Sequence, residues 1–269
     1  MPILYKYCDQ IGALKILGSL ELKLPYISDV NDPVECSPVF YCGENKTMIH
    51  DALSLCLEKG MTPRINLEEK SHVDNIQRML EDRHRTRQEA WNSKNCLLSL
   101  SGTARNVVMW AHYAEKHRGI VIGIDFDNVF GVGQGISMDN VTYSKKRVGI
   151  DLLLKEELRR PEEFYKVLIT KSDSWNYEDE YRTIILAEDL EQLRQKSKAD
   201  CRDFNGKQAW FLRLTPESIQ QVVFGLYTDH CLQTTVGHLV GKFPNVKLFQ
   251  TMTSKDEFDF ELKSMEGVS

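Results

Sequence analysis

Two glutamates and an arginine alternate with other residues in SWNYEDEYRTIIL, residues 174–186. Because side chains alternate across a strand, Glu178, Glu180 and Arg182 are predicted on one face of a strand whose far end is apolar. Two carboxylates roughly 7 Å apart beside an apolar floor disfavour each other's ionisation, so that one stays anionic while the other takes a proton. The segment therefore predicts an acid–base pair. It is equally compatible with a structural ion pair, in which Arg182 neutralises Glu180.

A pair of serines supplies the second set of polar groups. The segment NCLLSLSG, residues 95–102, is typical of a short strand with Ser99 and Ser101 on the face opposite Leu98 and Leu100. Two hydroxyls on one face could hold a ligand, although serines on short strands are also common as edge or turn residues.

The helix predicted after this strand carries a histidine and a tyrosine. NVVMWAHYAEKHRG, residues 106–119, has the spacing of an amphipathic helix that is capped by Asn106 and ended by Gly119. His112 and Tyr113 could line the same cleft as the serines, or His112 could be a core histidine. His112 and His117 are five residues apart and do not share a helical face, so no metal site is predicted.

The elements that must position these residues indicate an α+β fold. A first strand, ILYKY at residues 3–7, feeds a helix, and later strands occur at irregular intervals with helices inserted between them. This order predicts a split, largely antiparallel sheet in a single catalytic domain over residues 1–269, with a helical insertion at about 46–94. The glycines of GVGQG, residues 131–135, lack dinucleotide-fold spacing and are interpreted as a loop.

Composition excludes several classes of protein. The seven cysteines are scattered without a CxxC pair, which argues against a disulfide framework and a zinc site. No apolar run approaches the roughly 20 residues that span a bilayer, and the start of the chain lacks signal-peptide features, so a cytoplasmic protein without membrane attachment is expected. A net charge of -5 gives no overall attraction for nucleic acid, but it leaves room for a local basic patch, so charge does not decide the substrate.

Several segments in order resemble a bacterial family known as domain of unknown function 2971. They are YKY, LKLPYISDVNDPVE, SLS followed by MWAHYAEKHRGIVIGID, and WNYEDEYR. The resemblance runs from about residue 3 to about 225, and it implies no function.

The chain is also distantly similar to ADP-ribosyltransferases that carry a first-strand NAD-holding residue, an SxS strand and a later ExE strand. Ser99 and Ser101 match SxS, and Glu178 and Glu180 match ExE, but Tyr5, Lys6 and Tyr7 stand where an arginine is usual.

The similarity to the transferases implies NAD as substrate and a role for each matching residue. Glu180 would stabilise the oxocarbenium-like transition state, and Glu178 would orient or deprotonate the acceptor. Ser99 or Ser101 would position the dinucleotide. Tyr5 or Tyr7 would contact the nicotinamide, and Lys6 would meet the diphosphate, although tyrosines of a first strand are also common as core residues.

Two other functions remain open at this point. A metal-dependent nuclease could use Asp32, Glu35, Glu178 and Glu180, although Arg182 stands where such enzymes place a lysine. A non-catalytic module could bind a nucleotide or a protein partner. In the transferase interpretation the acceptor is a nucleic acid or a protein, and the chain acts as a toxin or phage-defence effector with a possible antitoxin.

Overall fold

The computed structural model describes residues 3–41, 70–130, 138–152, 161–241 and 243–265. Elements are numbered in chain order. The strands are β1 (Leu4–Cys8), β2 (Glu21–Leu24), β3 (Val39–Tyr41), β4 (Cys96–Ser101), β5 (Ile120–Ile124), β6 (Asp139–Asn140), β7 (Thr142–Ser144), β8 (Gly149–Asp151), β9 (Thr170–Ser172), β10 (Glu180–Ile185), β11 (Ala199–Phe204), β12 (Lys207–Arg213), β13 (Ile219–Phe224), β14 (Lys247–Thr253) and β15 (Phe260–Ser264). The helices are α1 (Gln10–Ser19), α2 (Lys70–Asn92), α3 (Val107–Tyr113), α4 (Asp127–Phe130), α5 (Pro161–Leu168), α6 (Ala187–Gln195) and α7 (His230–Val240).

The chain forms two compact units. Unit 1 comprises residues 1–26, 95–141 and 174–269, and unit 2 comprises residues 27–94 and 142–173. The helical insertion predicted at about 46–94 falls in unit 2, where residues 70–92 are a helix. Residues 46–69 and the predicted loop at 131–135 lie outside the described residues. A single catalytic domain over residues 1–269 stays a prediction.

An eight-stranded sheet organises unit 1, in the order β15-β14-β13-β5-β1-β4-β10-β6. Every neighbouring pair is antiparallel except β13 with β14. The predicted α+β class with a largely antiparallel sheet is therefore confirmed. A smaller sheet of β11, β12 and β2 completes the unit's strands among the described residues.

Both faces of the large sheet are covered. On one face, Leu98 and Ile122 pack with Leu17 of α1 and Val236 of α7 in the larger core. On the other face, Val121 and Tyr7 belong to a smaller core around Trp110 of α3, which is fully buried. The predicted site residues of the three central strands lie on this second face, with the exception of Lys6.

Helix α3 is shorter than its sequence pattern predicts. Asn106 caps it as expected, accepting a hydrogen bond from the Met109 N–H at 3.0 Å, but the helix ends at Tyr113 rather than near Gly119. Glu115, Lys116 and His117 all have positive φ. The His117 backbone donates to Trp110 and accepts from Tyr227, so these contacts hold a left-handed turn that a helical pattern cannot predict.

Unit 2 contains two short parallel strand pairs, β3 with β8 and β7 with β9, together with α2 and α5. Arg147 links two of its segments by donating hydrogen bonds to the carbonyl oxygens of Ser37 and Pro38. A buried pair of Lys171 and Glu35, 3.8 Å apart, lies within the same unit. In the ranges that the structure covers, none of the helices has the length and apolar character required to cross a bilayer.

Candidate active site

Three neighbouring strands bring the predicted site residues into one row. Tyr5 of β1 pairs with Ser101 of β4, and Ser101 pairs with Glu180 of β10. One step along the strands, Ser99 pairs with Arg182. Residues directly opposite in antiparallel strands project from the same face. The first strand, the serine strand and the glutamate strand therefore present their polar residues side by side.

Glu180 and Arg182 form a buried bidentate ion pair. The Arg182 Nε lies 2.6 Å from Glu180 Oε1, and Nη2 lies 2.9 Å from Oε2. Glu180 is 5% exposed and Arg182 is 1% exposed. Glu180 is therefore a buried carboxylate, and of the two interpretations of the sequence the ion pair with Arg182 describes it correctly. Alternation explains the geometry, since residues two apart on a strand share a face.

Glu178 does not lie on the strand with Glu180, so the predicted strand alternation is wrong at this end. Residues Asp173–Glu178 form a 3₁₀ turn, and Asp179 follows with a φ of 43° before β10 begins. Glu178 is 4% exposed, and its Oε1 accepts a hydrogen bond from the Tyr113 hydroxyl at 2.7 Å. Tyr113 of α3 therefore holds the Glu178 side chain, whereas Arg182 of β10 holds the Glu180 side chain.

Ser101 fastens the turn that carries Glu178. Its hydroxyl donates to the Glu178 carbonyl oxygen at 2.7 Å and accepts from the Thr103 N–H at 3.2 Å. Gly102 allows the Asp179 carboxylate to lie close to the backbone that follows β4, because a Cβ at this position would collide with that carboxylate. Ser101 is 1% exposed, whereas Ser99 is half-buried. Ser99 is consequently the more accessible hydroxyl of the pair.

The first-strand residues divide between the two faces of the sheet. The Tyr5 hydroxyl donates to Gln221 Oε1 at 3.1 Å, and the Tyr7 hydroxyl donates to the Thr103 carbonyl at 2.9 Å. Burial raises the pKa of both tyrosines, so both remain protonated donors. By alternation the Lys6 side chain projects from the face of the sheet opposite to Tyr5 and Tyr7. Its Nζ lies 3.4 Å from the Ser99 carbonyl oxygen.

Aromatic rings surround the Glu178 turn. The exposed His112 ring lies 6.3 Å from that of Tyr177, and Tyr177 lies 6.0 Å from Trp175, measured between ring centroids. Neither Trp175 nor Tyr177 is among the site residues predicted from the sequence. The spacing WxYE, which places two aromatic residues just before the glutamate, could have indicated their position beside it.

The residues proposed for a metal-dependent nuclease belong to different units. Asp32 and Glu35 are in unit 2, whereas Glu178 and Glu180 are in unit 1. Among the described residues, no group of three or more histidine, cysteine, aspartate or glutamate side chains could hold a metal ion.

Comparison with known proteins identifies one similarity. A family model described as "Protein of unknown function (DUF2971)" matches residues 109–183, which are 75 of the chain's 269 residues. This segment is similar to that family. It contains most of α3, the Glu178 turn and the first four residues of β10, so both carboxylates lie within it. No curated protein and no solved structure matches the chain.

Proposed function

We propose that the chain is an ADP-ribosyltransferase-like enzyme that uses NAD as substrate and transfers ADP-ribose to a nucleic acid or a protein. The observation that carries the proposal is the register of Tyr5, Ser101 and Glu180 on three adjacent strands. This is the order of first-strand, serine and glutamate positions that the sequence resemblance requires. An ADP-ribosyltransferase-like variant of the α+β fold is part of the same proposal.

Glu180 has the role of stabilising positive charge on the ribose. In the reaction the bond between the ribose C1′ and the nicotinamide nitrogen breaks, and its electron pair leaves with nicotinamide. A fixed carboxylate favours the resulting oxocarbenium-like transition state over the ground state. The two hydrogen bonds from Arg182 orient this carboxylate before NAD binds. The positive charge of Arg182 also partly neutralises the carboxylate. Because Glu180 is only 5% exposed, the proposal requires that NAD binding uncovers this carboxylate.

Glu178 has the role of accepting the proton of the acceptor nucleophile as that nucleophile bonds to C1′. The Tyr113 hydroxyl donates to the Glu178 carboxylate and orients it for this task. Ser99, the more accessible serine, would form hydrogen bonds to the dinucleotide. The Ser101 hydroxyl would position Glu178 by its hydrogen bond to the Glu178 carbonyl oxygen. His112, Tyr5, Tyr7 and Lys6 are the remaining candidate contacts to NAD.

A second candidate function is a non-catalytic module that binds a nucleotide or a protein partner. The buried Arg182–Glu180 pair favours it, because a carboxylate satisfied by a guanidinium is a common structural element of a sheet. The two functions differ in turnover, so they can be separated by experiment.

The test is incubation of the purified chain with NAD labelled in its adenylate half, together with pooled RNA, DNA and protein. Nicotinamide release and label transfer by the wild type support the transferase. Glu178→Gln keeps an acceptor for the Tyr113 hydroxyl and should fold, but it should lower the rate about 10²–10⁴-fold. Glu217→Gln, an exposed glutamate elsewhere in unit 1, is the matched control and should retain full activity.

The other outcomes of this assay select between the remaining interpretations. Saturable NAD binding without nicotinamide release favours the non-catalytic module. Magnesium-dependent cutting of the nucleic acids without nicotinamide release contradicts both proposals and supports a nuclease. Equal rates for the wild type and Glu178→Gln contradict the role given to Glu178.

The biological setting we propose is a cytoplasmic toxin or phage-defence effector, neutralised by a partner protein. A transferase acting on nucleic acid or on an essential protein would arrest growth. Induced expression should therefore stop growth in the wild type and not in Glu178→Gln at equal protein level. Normal growth with an active wild-type enzyme would exclude the toxin setting while leaving the transferase activity intact.

A further inference from the structure

Unit 2 contains a cavity with two adjoining lobes, separate from the residues of the proposed transferase site. The large lobe has a volume of about 580 Å³ and the small lobe about 230 Å³. Asp32, Glu35, Ser37 and Arg147 line both lobes, so the lobes adjoin. A volume of several hundred Å³ is typical of small-molecule sites.

The small lobe is rich in cations and hydroxyl groups. Its cations are Lys145, Lys146, Arg147 and Lys171, against the carboxylates of Asp32 and Glu35. Four hydroxyl side chains also line it, those of Ser37, Ser144, Thr170 and Ser172. The Ser144 hydroxyl already donates to the Lys146 carbonyl oxygen at 2.8 Å, so the positive charge of the lobe is the feature that suits a phosphate group.

Two of these cations are available to a ligand. Arg147 is engaged with Ser37 and Pro38, and Lys171 is buried near Glu35. Lys145 and Lys146 are exposed, and within the described ranges their ammonium groups form no ion pair or hydrogen bond. No group in the described part of the chain pairs with these two ammonium groups, so a phosphate entering the lobe could interact with both.

The large lobe differs in character. Ile27, Val39 and Phe40 contribute apolar surface, and Phe40 also contacts the ring of His84 at 5.8 Å. Glu81 and Glu89 of α2 line the same lobe and offer carboxylate acceptors to hydroxyl or amino groups. Polar and charged residues, including Arg85, Gln88 and Asn92, line the rest of this lobe, so it offers both apolar surface and hydrogen-bonding groups to the uncharged part of a nucleotide.

We infer that unit 2 binds a phosphate ester of nucleotide size, with the phosphate in the small lobe beside Lys145 and Lys146 and the remainder in the large lobe. This site does not depend on the proposed transferase activity, because it uses none of the transferase residues.

The test uses isothermal titration of the full chain with three probes: AMP, adenosine and inorganic phosphate. AMP should bind at least about tenfold more tightly than either fragment, because it alone fills both lobes. The double variant Lys145→Gln/Lys146→Gln should weaken AMP binding by about tenfold or more and leave adenosine binding unchanged. Lys94→Gln/Lys166→Gln removes the same charge from exposed lysines of unit 2 outside the cavity lining and should bind AMP like the wild type.

Thermal melting should be the same for both double variants and the wild type, since all four lysines are exposed. Unchanged AMP affinity in Lys145→Gln/Lys146→Gln overturns the inference, as does equal loss in the control variant or absence of AMP binding. Inorganic phosphate that binds as tightly as AMP overturns the role of the large lobe and reduces the site to a phosphate pocket.

Discussion

Arg182 holds both carboxylate oxygens of Glu180 inside unit 1, with nitrogen–oxygen distances of 2.6 and 2.9 Å. Two charges removed from water are tolerated only while they satisfy each other. The same pair therefore has two consequences. It makes Glu180 part of the folded core, and it fixes the carboxylate that the proposed reaction needs.

Glu180→Gln should destabilise unit 1, because it leaves the Arg182 guanidinium buried without its charge partner. Loss of one member of a buried pair typically costs about 3–5 kcal/mol. Urea unfolding followed by circular dichroism measures this free energy. As a control, Glu191→Gln breaks an exposed pair with Arg194 and should leave the midpoint nearly unchanged. A Glu180→Gln protein as stable as the wild type would show that the pair contributes nothing to folding. Activity of this variant is meaningful only at temperatures where it remains folded.

Tyr113→Phe should weaken the attachment of the Glu178 turn to α3. The hydroxyl donates to the Glu178 carboxylate at 2.7 Å, and a hydrogen bond to a charged group contributes about 1.5–3 kcal/mol. The expected result is a loss of that size in the free energy of unfolding, together with slower transfer if Glu178 acts as the base. Tyr227→Phe, which removes the hydroxyl of an exposed tyrosine, should have neither effect. Full stability in Tyr113→Phe would contradict the proposed role of this contact.

His117 should make unit 1 less stable in mild acid. Burial lowers the pKa of His117 below its usual 6.5, so below pH 6.5 the unfolded chain binds more protons than the folded chain. Neutral His117 therefore makes its full contribution to the free energy of unfolding above pH 6.5, and this contribution is lost as the pH falls towards the lowered pKa. His117→Asn cannot titrate and tolerates the positive φ at this position, so its melting temperature should change less between about pH 7.5 and about pH 5.5.

The control for this pH experiment is His230→Asn, because His230 is exposed at the start of α7. Its melting temperature should change with pH as in the wild type. An unchanged pH dependence in His117→Asn would assign the acid sensitivity to other groups.

Gly119→Ala and Gly18→Ala should change stability in opposite directions. A Cβ at Gly119 would collide with the Cys8 carbonyl oxygen of the backbone, which cannot move aside without distorting β1, and overpacking of this kind costs about 1–3 kcal/mol. Gly18 lies in α1 with no atom near the position of a Cβ, so alanine there should stabilise by about 0.5–1 kcal/mol. Chemical denaturation of both variants measures the difference. Two changes of the same sign would contradict this account.

Local patterns predicted the parts of the site that depend on nearby residues. The alternation of NCLLSLSG placed Ser99 and Ser101 on one face, and Asn106 was recognised as the cap of α3. These features follow from strand periodicity and from hydrogen bonds over a few residues, which any chain with these residues tends to make.

Long-range contacts decided where α3 ends and where β10 begins. The strand pattern continued through Glu178, yet Ser101, 77 residues away, bonds the Glu178 carbonyl and helps to hold a turn there. The helix pattern continued through His117, yet Tyr227 bonds the His117 carbonyl and contributes to a left-handed turn. Local propensity cannot register such contacts, because their partners lie far away in sequence.

The sequence by itself determined that Glu180, Arg182, Ser99 and Ser101 are present with strand spacing, and it left the role of Glu180 divided between catalysis and an ion pair. The tertiary structure decided that β4 lies between β1 and β10, which aligns Tyr5, Ser101 and Glu180 in one row. It also decided that Arg182 and Glu180 are buried together. Strand order and burial are set by packing the whole sheet between two cores, so neither can be predicted from the residues of one strand.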